Sequence, residues 1–413
     1  MPPQRKTGNK DFKFDVAAPP GWTFAPGDVI IGNLVRHAHI VTPEATVTLS
    51  LIGRVKTRFV QETSSSDREY SDEWHLFERL PEVIFRGPLH LPEESTESLS
   101  WPFSIQIPLK PRRSVMKGHA QAASFLPLNW DHPAHHTLPG TFCWLGGASS
   151  GSADSECFVE YYLSAQLRYK FGSFKNYTAT WPITLRHSVD NAGQPDQVIQ
   201  LSATQKVRSQ RLLPGLKNTD LSVKQKTLKF FGSSKVPEFH FRVNLTTPRI
   251  IQLSLSQAFP LVLEVLPLDD KISNSIKEVP QDIQTNGIKV FLISRTSLRA
   301  GDPWDRATRN NQHSSSSSLR LESVFQKAQR PLRLSPSEGN SAIDLGQAFQ
   351  LGLGSHGLTS CGLSLGYISM IYPDFVTYNI KHSHMLHWKI SLTIAGETQV
   401  IAVNGPLKII GMA

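Results

Sequence analysis

Cysteine is scarce in this chain of 413 residues. Only Cys143, Cys157 and Cys361 are present, an odd number without C-x-x-C spacing, which excludes a disulfide framework and a zinc ribbon. Long apolar runs are missing as well. No stretch approaches the roughly 20 apolar residues of a membrane-spanning helix, and the N-terminal segment, with Arg5, Lys6, Lys10 and Lys13, has no apolar core of signal-peptide length. A soluble, intracellular protein is expected. A sustained helical period is also absent, and so is a G-x-S-x-G nucleophile motif. The glycines of Gly352-Leu353-Gly354-Ser355-His356-Gly357 form neither a P-loop nor the start of a helix. Neither enzymatic activity nor a cofactor is expected.

Charge is present but uneven. The formal net charge is +9, yet residues 188–236 hold eight Lys/Arg against three Asp, while residues 62–97 hold ten Asp/Glu against three Arg. A basic linker and an acidic insertion could attract each other, or the linker could meet anionic lipid. No recognition helix or finger accompanies the charge, so nucleic acid is not an expected partner. His132, His135 and His136 lie beside Pro133 without ligand spacing and read as a surface loop. Strand alternation sends His387 to the face opposite His382 and His384. No metal site is expected.

What the chain does contain is alternation. Pro26 and Gly27 set a turn before Val29-Ile30-Ile31, which stops at Gly32, a residue suited to a bulge or a close backbone approach. In Thr46 to Leu51 apolar and hydroxyl residues alternate strictly, so this strand answers the first in a half-buried antiparallel sheet. Tyr161, Leu163, Ala165, Leu167 and Tyr169 share one face, Tyr162, Ser164, Gln166, Arg168 and Lys170 the other, and Tyr177 to Leu185 returns after Gly172-Ser173. Phe239 to Leu245, Leu261 to Val265, Leu386 to Ile394 and Ile401 to Ile410 continue the pattern. The chain is therefore expected to be all-β, with one sandwich over residues 11–187, a basic linker over 188–236 and a second sandwich over 237–413, the last carrying a disordered, serine-rich insertion at about 301–341.

The Pro-Gly-Asp turn with a Gly four residues past the Asp, the strand closing on Gly53-Arg54, the segment Trp101-Pro102-Phe103-Ser104-Ile105-Gln106-Ile107-Pro108, the strand of Cys157, Val159, Glu160, Tyr161, Leu163 and Ala165, and the run Phe239 to Val265 resemble, in order, the motifs of arrestin-like proteins of the fungal alpha-arrestin type. The resemblance spans roughly residues 11–300 and 343–410. It implies two tandem immunoglobulin-like sandwiches, the arrestin fold.

By position, the resemblance also implies a buried polar core in which Arg186, ending the last strand of the first sandwich, meets Asp28. The second N-domain acid falls at Ile31, the C-domain acids would lie after Arg299, and no tail supplies an activating arginine. The function implied is an adaptor that binds cytoplasmic segments of membrane transporters or receptors and directs their trafficking, endocytosis or signalling, at the cytoplasmic side of plasma or endosomal membranes. A retromer-subunit-like sorting scaffold and a peripheral membrane protein using the basic linker on anionic lipid are the alternatives. Lacking Pro-Pro-x-Tyr, the chain would reach a ubiquitin ligase only indirectly. Arg168, Lys170 and Lys175, joined by Lys13, Lys56 and Arg58 if the first strand packs nearby, are the candidate cargo- or phosphate-binding residues.

Overall fold

A computed structural model describes residues 8–411 apart from 10, 63–66, 78–80, 94, 130, 132–135, 147–154, 172, 188–197, 217–235, 254–257, 302–307, 329–331 and 337–340. The described chain is mostly β-sheet. Gly8–Asn9, Phe12–Val16, Val29–Arg36 and Leu99–Gln106 form one sheet. Facing it is a larger sheet of Thr23–Phe24, Ser173–Leu185, Ser155–Phe171, Ile40–Glu62 and Asp67–His75, with Glu82–Leu91 and Phe142–Gly146 pairing at its flanks. Alternate residues of both sheets, among them Phe12, Ile30, Leu34 and Phe103 from the first and Val47, Val55, Leu163 and Leu167 from the second, meet in one core.

The architecture repeats in the second half. Val198–Arg208, Glu238–Pro248, Val262–Pro267 and Ala342–Asp344 face a sheet built on Ile250–Gln252, Glu397–Ile410, Ile380–Ile394, Ile283–Gly301 and Thr308–Ser318, and their apolar faces enclose a second core around Phe241, Leu263, Trp388 and Ile390. Among the described residues no helix is long and apolar enough to cross a membrane.

Four expectations change. Val29–Arg36 and Ile40–Glu62 do not pair: the three residues between them carry the chain across to the opposite sheet, and Val29–Arg36 lies between Phe12–Val16 and Leu99–Gln106. Gly32 does mark a close approach, since a Cβ there would meet the Asp15 carbonyl oxygen at 2.5 Å and Val16 Cα at 2.9 Å. The basic stretch 188–236 is not wholly a linker, because Val198–Arg208 pairs along its whole length with Glu238–Pro248; the edge strand considered at Leu221 to Phe231 lies outside the described residues. Within 301–341, Thr308–Ser318 pairs with Phe291 to Gly301, and Glu322–Ala328 is a short helix. Serine, asparagine and threonine show no apolar alternation, but an edge strand needs only backbone partners on one side. In the acidic stretch, finally, Glu62 to Asp72 is expected as a connection but Asp67–His75 is a strand paired with Ile40–Glu62, while Glu82–Leu91, within the strands expected over Trp74 to Leu91, pairs with it too.

Candidate functional site

The Ser155–Phe171 strand is flanked for most of its length by Ile40–Glu62 and Ser173–Leu185. Cys157, Val159, Tyr161, Leu163, Ala165 and Leu167 point into the core, so Phe158, Glu160, Tyr162, Gln166 and Arg168 lie on the outward face. Register adds Lys56 opposite Phe158, Arg54 opposite Glu160 and Thr46 opposite Arg168. Lys56 and Arg58 thus share a face with Arg168 and Lys170, as alternation predicts. They do not share a cluster, because ten residues of strand separate Phe158 from Arg168, about 33 Å at 3.3 Å per residue. Lys175 lies opposite Tyr169 and so points to the other side of the sheet. Lys13 belongs to the facing sheet, where Phe12 and Phe14 point inward and Lys13 out. The six candidates therefore form one closed group, one open pair and two separate lysines.

In the closed group Arg58, with its neighbour Arg54, is neutralised within the chain. Arg58 donates to Glu69 through Nε at 2.8 Å and Nη2 at 3.1 Å, and these bonds, with the Arg58 and Lys56 charges, hold the Glu69 carboxyl below its usual range. Arg54 donates to Glu160 at 2.5 Å and to Glu73 at 2.9 Å. Burial disfavours the charged Arg54, and the two carboxylates outweigh it, so its pKa ends above the ordinary value. The Arg54 guanidinium also lies 5.8 Å from the Phe158 ring centroid and 6.0 Å from that of Tyr162. At the other end, Arg168 donates to Gln166 at 2.9 Å. Among the described residues no carboxylate forms an ion pair with Lys13, Arg168, Lys170 or Lys175, all of which are exposed.

Asp28 and Arg186 do not make a buried pair. The Asp28 carboxylate accepts from the Ala25 amide at 2.8 Å and closes the turn. Arg186 follows Leu185, which points into the core, so its own side chain turns to solvent while its backbone N–H donates to Phe24 O at 2.8 Å.

The buried polar groups gather instead where the two units meet, at a junction through which Leu298, Ala300, Phe375, Tyr378 and Ile380 of the second unit enter the first core. Thr57 Oγ1 donates to Arg299 O at 2.7 Å and accepts from Asn379 Nδ2 at 3.0 Å. Arg299 donates to Ser124 O and lies 4.1 Å from the Phe125 ring centroid. Trp74 stacks between Tyr378, at 4.9 Å, and His119, at 3.6 Å. His136 is buried between Tyr378 Oη and Asn129 O rather than in a surface loop, whereas His132 and His135 lie outside the described residues.

A histidine group adjoins this junction. His382 bonds Thr296 Oγ1 at 2.9 Å and lies 4.7 Å from the His384 ring, which bonds Asp374 at 2.6 Å. His187 accepts from the Gly140 amide at 3.2 Å and packs on Phe375. Burial pushes His187 down to about 4, and burial together with the charges of His384 and His187 pushes His382 down to about 3. His387 does point the other way, toward Asn404. Among the described residues no three His, Cys, Asp or Glu side chains come together as a metal site.

Sequence reasoning passed over Thr57, Thr296, Arg36, Arg299 and Asn379. Thr57, Thr296 and Arg36 did leave a signal, a polar residue at an inward position of an alternating strand, as Thr57 is between Val55 and Phe59. Neither a protein-family model nor any curated protein matches the chain.

Proposed function

We propose that this chain is an arrestin-like adaptor whose two β-sandwich units dock acidic or phosphorylated cytoplasmic segments of membrane proteins and direct their trafficking. The observation that carries the reading is the contrast along one sheet face, where every cation at one end but Lys56 is ion-paired in cis and Arg168 and Lys170 at the other end have no carboxylate partner among the described residues. A non-enzymatic role, with a ubiquitin ligase recruited only indirectly, belongs to the same reading. Proximity labelling would identify the cargo, and binding of its tail peptide to wild type and to Arg168→Glu with Lys170→Glu tests the site. Loss of binding together with its salt dependence supports the adaptor; unchanged binding by a folded double variant rules this face out.

One observation favours a second reading, a peripheral membrane protein. Residues 345–373 contain no Asp, Glu, Lys or Arg, and within them Leu363, Tyr367 and Met370 are exposed by 72%, 76% and 55%. Sedimentation with anionic liposomes that is lost in Leu363→Ser with Tyr367→Ser would favour it.

A further inference from the structure

Arg36 ends the Val29–Arg36 strand at an inward position and is only 2% exposed. Its Nη2 donates to His39 O at 3.3 Å, while Nε and Nη1 are buried with no hydrogen-bond partner among the described residues. Glu93 pairs with His39 at 3.5 Å, and among the described residues no carboxylate forms an ion pair with Arg36. A buried guanidinium with unmet N–H groups is strongly unfavourable unless an anion completes it. Aromatic and cationic side chains lie around it. The guanidinium lies 4.5 Å from the Tyr177 ring centroid, Tyr177 stacks on Tyr169 at 5.9 Å, and Lys175 stands two residues before Tyr177, on the same side of the sheet. The Tyr177 phenol is held below its ordinary value, against the effect of burial, first by its hydrogen bond with Tyr169 and then by a hydrogen bond with Arg36 and the charges of Arg36 and Lys175.

We propose that the end of the first sandwich is an anion site in which Arg36, beneath the part-exposed Tyr177 ring, takes a phosphate group with help from Lys175. Phosphate fits better than carboxylate because it carries more acceptor oxygens and up to two negative charges, so one oxygen can accept from an Arg36 N–H while others accept from Lys175. Arg168 and Lys170 point to the outward sheet face, so this site stands or fails separately from the docking face proposed above.

Thermal unfolding of the full chain in chloride and in inorganic phosphate at matched ionic strength, with Arg36→Met and Lys175→Gln, tests the proposal. Wild type should gain stability saturably with phosphate. Arg36→Met should show no gain and, without phosphate, should melt no lower than wild type, because it removes an unpaired buried charge. Lys175→Gln, an exposed substitution that leaves the fold intact, should weaken phosphate about tenfold, the loss of one charge-assisted contact. A phosphoserine peptide run in parallel distinguishes the source: a response to both assigns a phosphorylated segment, and a response to inorganic phosphate alone assigns the free anion. No saturable response in wild type, or an equal response in Arg36→Met or in Lys175→Gln, overturns the site.

Discussion

The two ends of the outward sheet face are built from the same residue types and behave oppositely. Near Phe158, Arg54 and Arg58 are met by Glu160, Glu73 and Glu69; near Lys170, Arg168 bonds Gln166 and pairs with no carboxylate among the described residues. Glu160 stands directly across from Arg54, and the Asp67–His75 edge strand adds Glu69 and Glu73, whereas Arg168 stands across from Thr46 and Asn176. The difference teaches that cross-strand register decides whether a cation is structural or available. The junction behind the sheet belongs to the closed kind, since Thr57, Asn379 and Arg299 bond one another across the two units.

Acidification is the harshest test of the closed side. His187 and His382 have folded pKa values near 4 and 3, below the unfolded value of about 6.5. Above pH 6.5 neither state binds a proton there and the linkage is silent; as pH falls from about 6.5 toward 4 the unfolded chain takes up protons that the junction refuses, so stability should drop by on the order of several kcal/mol. Urea unfolding at a series of pH values reads this, and His382→Asn should flatten the profile. An equally steep profile in that variant would remove His382 from the explanation.

Breaking the closed end should cost less. Glu160→Ala leaves Arg54 with Glu73 alone and should lower stability by about 3 kcal/mol; a midpoint within error of wild type would mean that the network is not structural. Thr57→Val keeps the shape but strands Asn379 Nδ2 and Arg299 O, and should cost about 2 kcal/mol in the same measurement. The smallest effect is expected at the open end. Arg168→Glu with Lys170→Glu should change stability by no more than about 0.5 kcal/mol, and a larger loss would show that these cations are structural after all.

Much of this was legible in the residues. The alternation in Ser155 to Lys170 placed Arg168 and Lys170 outward and Leu163 inward, and the structure agrees, because side-chain direction in a strand is a local property of period two. Thr308–Ser318 was not legible, since its serines carry no apolar alternation and only pairing with Phe291 to Gly301 makes it a strand. The polar core expected at Asp28 and Arg186 failed for a related reason. Position along the chain says where a residue falls in its strand but not whether two such residues face each other across a sandwich.

By itself the sequence determined the β character and the inward and outward faces of its strands, because both follow from backbone geometry and the nearest neighbours along the chain. Only the tertiary structure decided which charges cancel. Arg54 and Glu160 are 106 residues apart and meet through register, Thr57 finds Arg299 and Asn379 only where the two units pack, and Arg36 keeps unmet N–H groups because the end of its strand is buried beneath Tyr177 where, among the described residues, no carboxylate pairs with it.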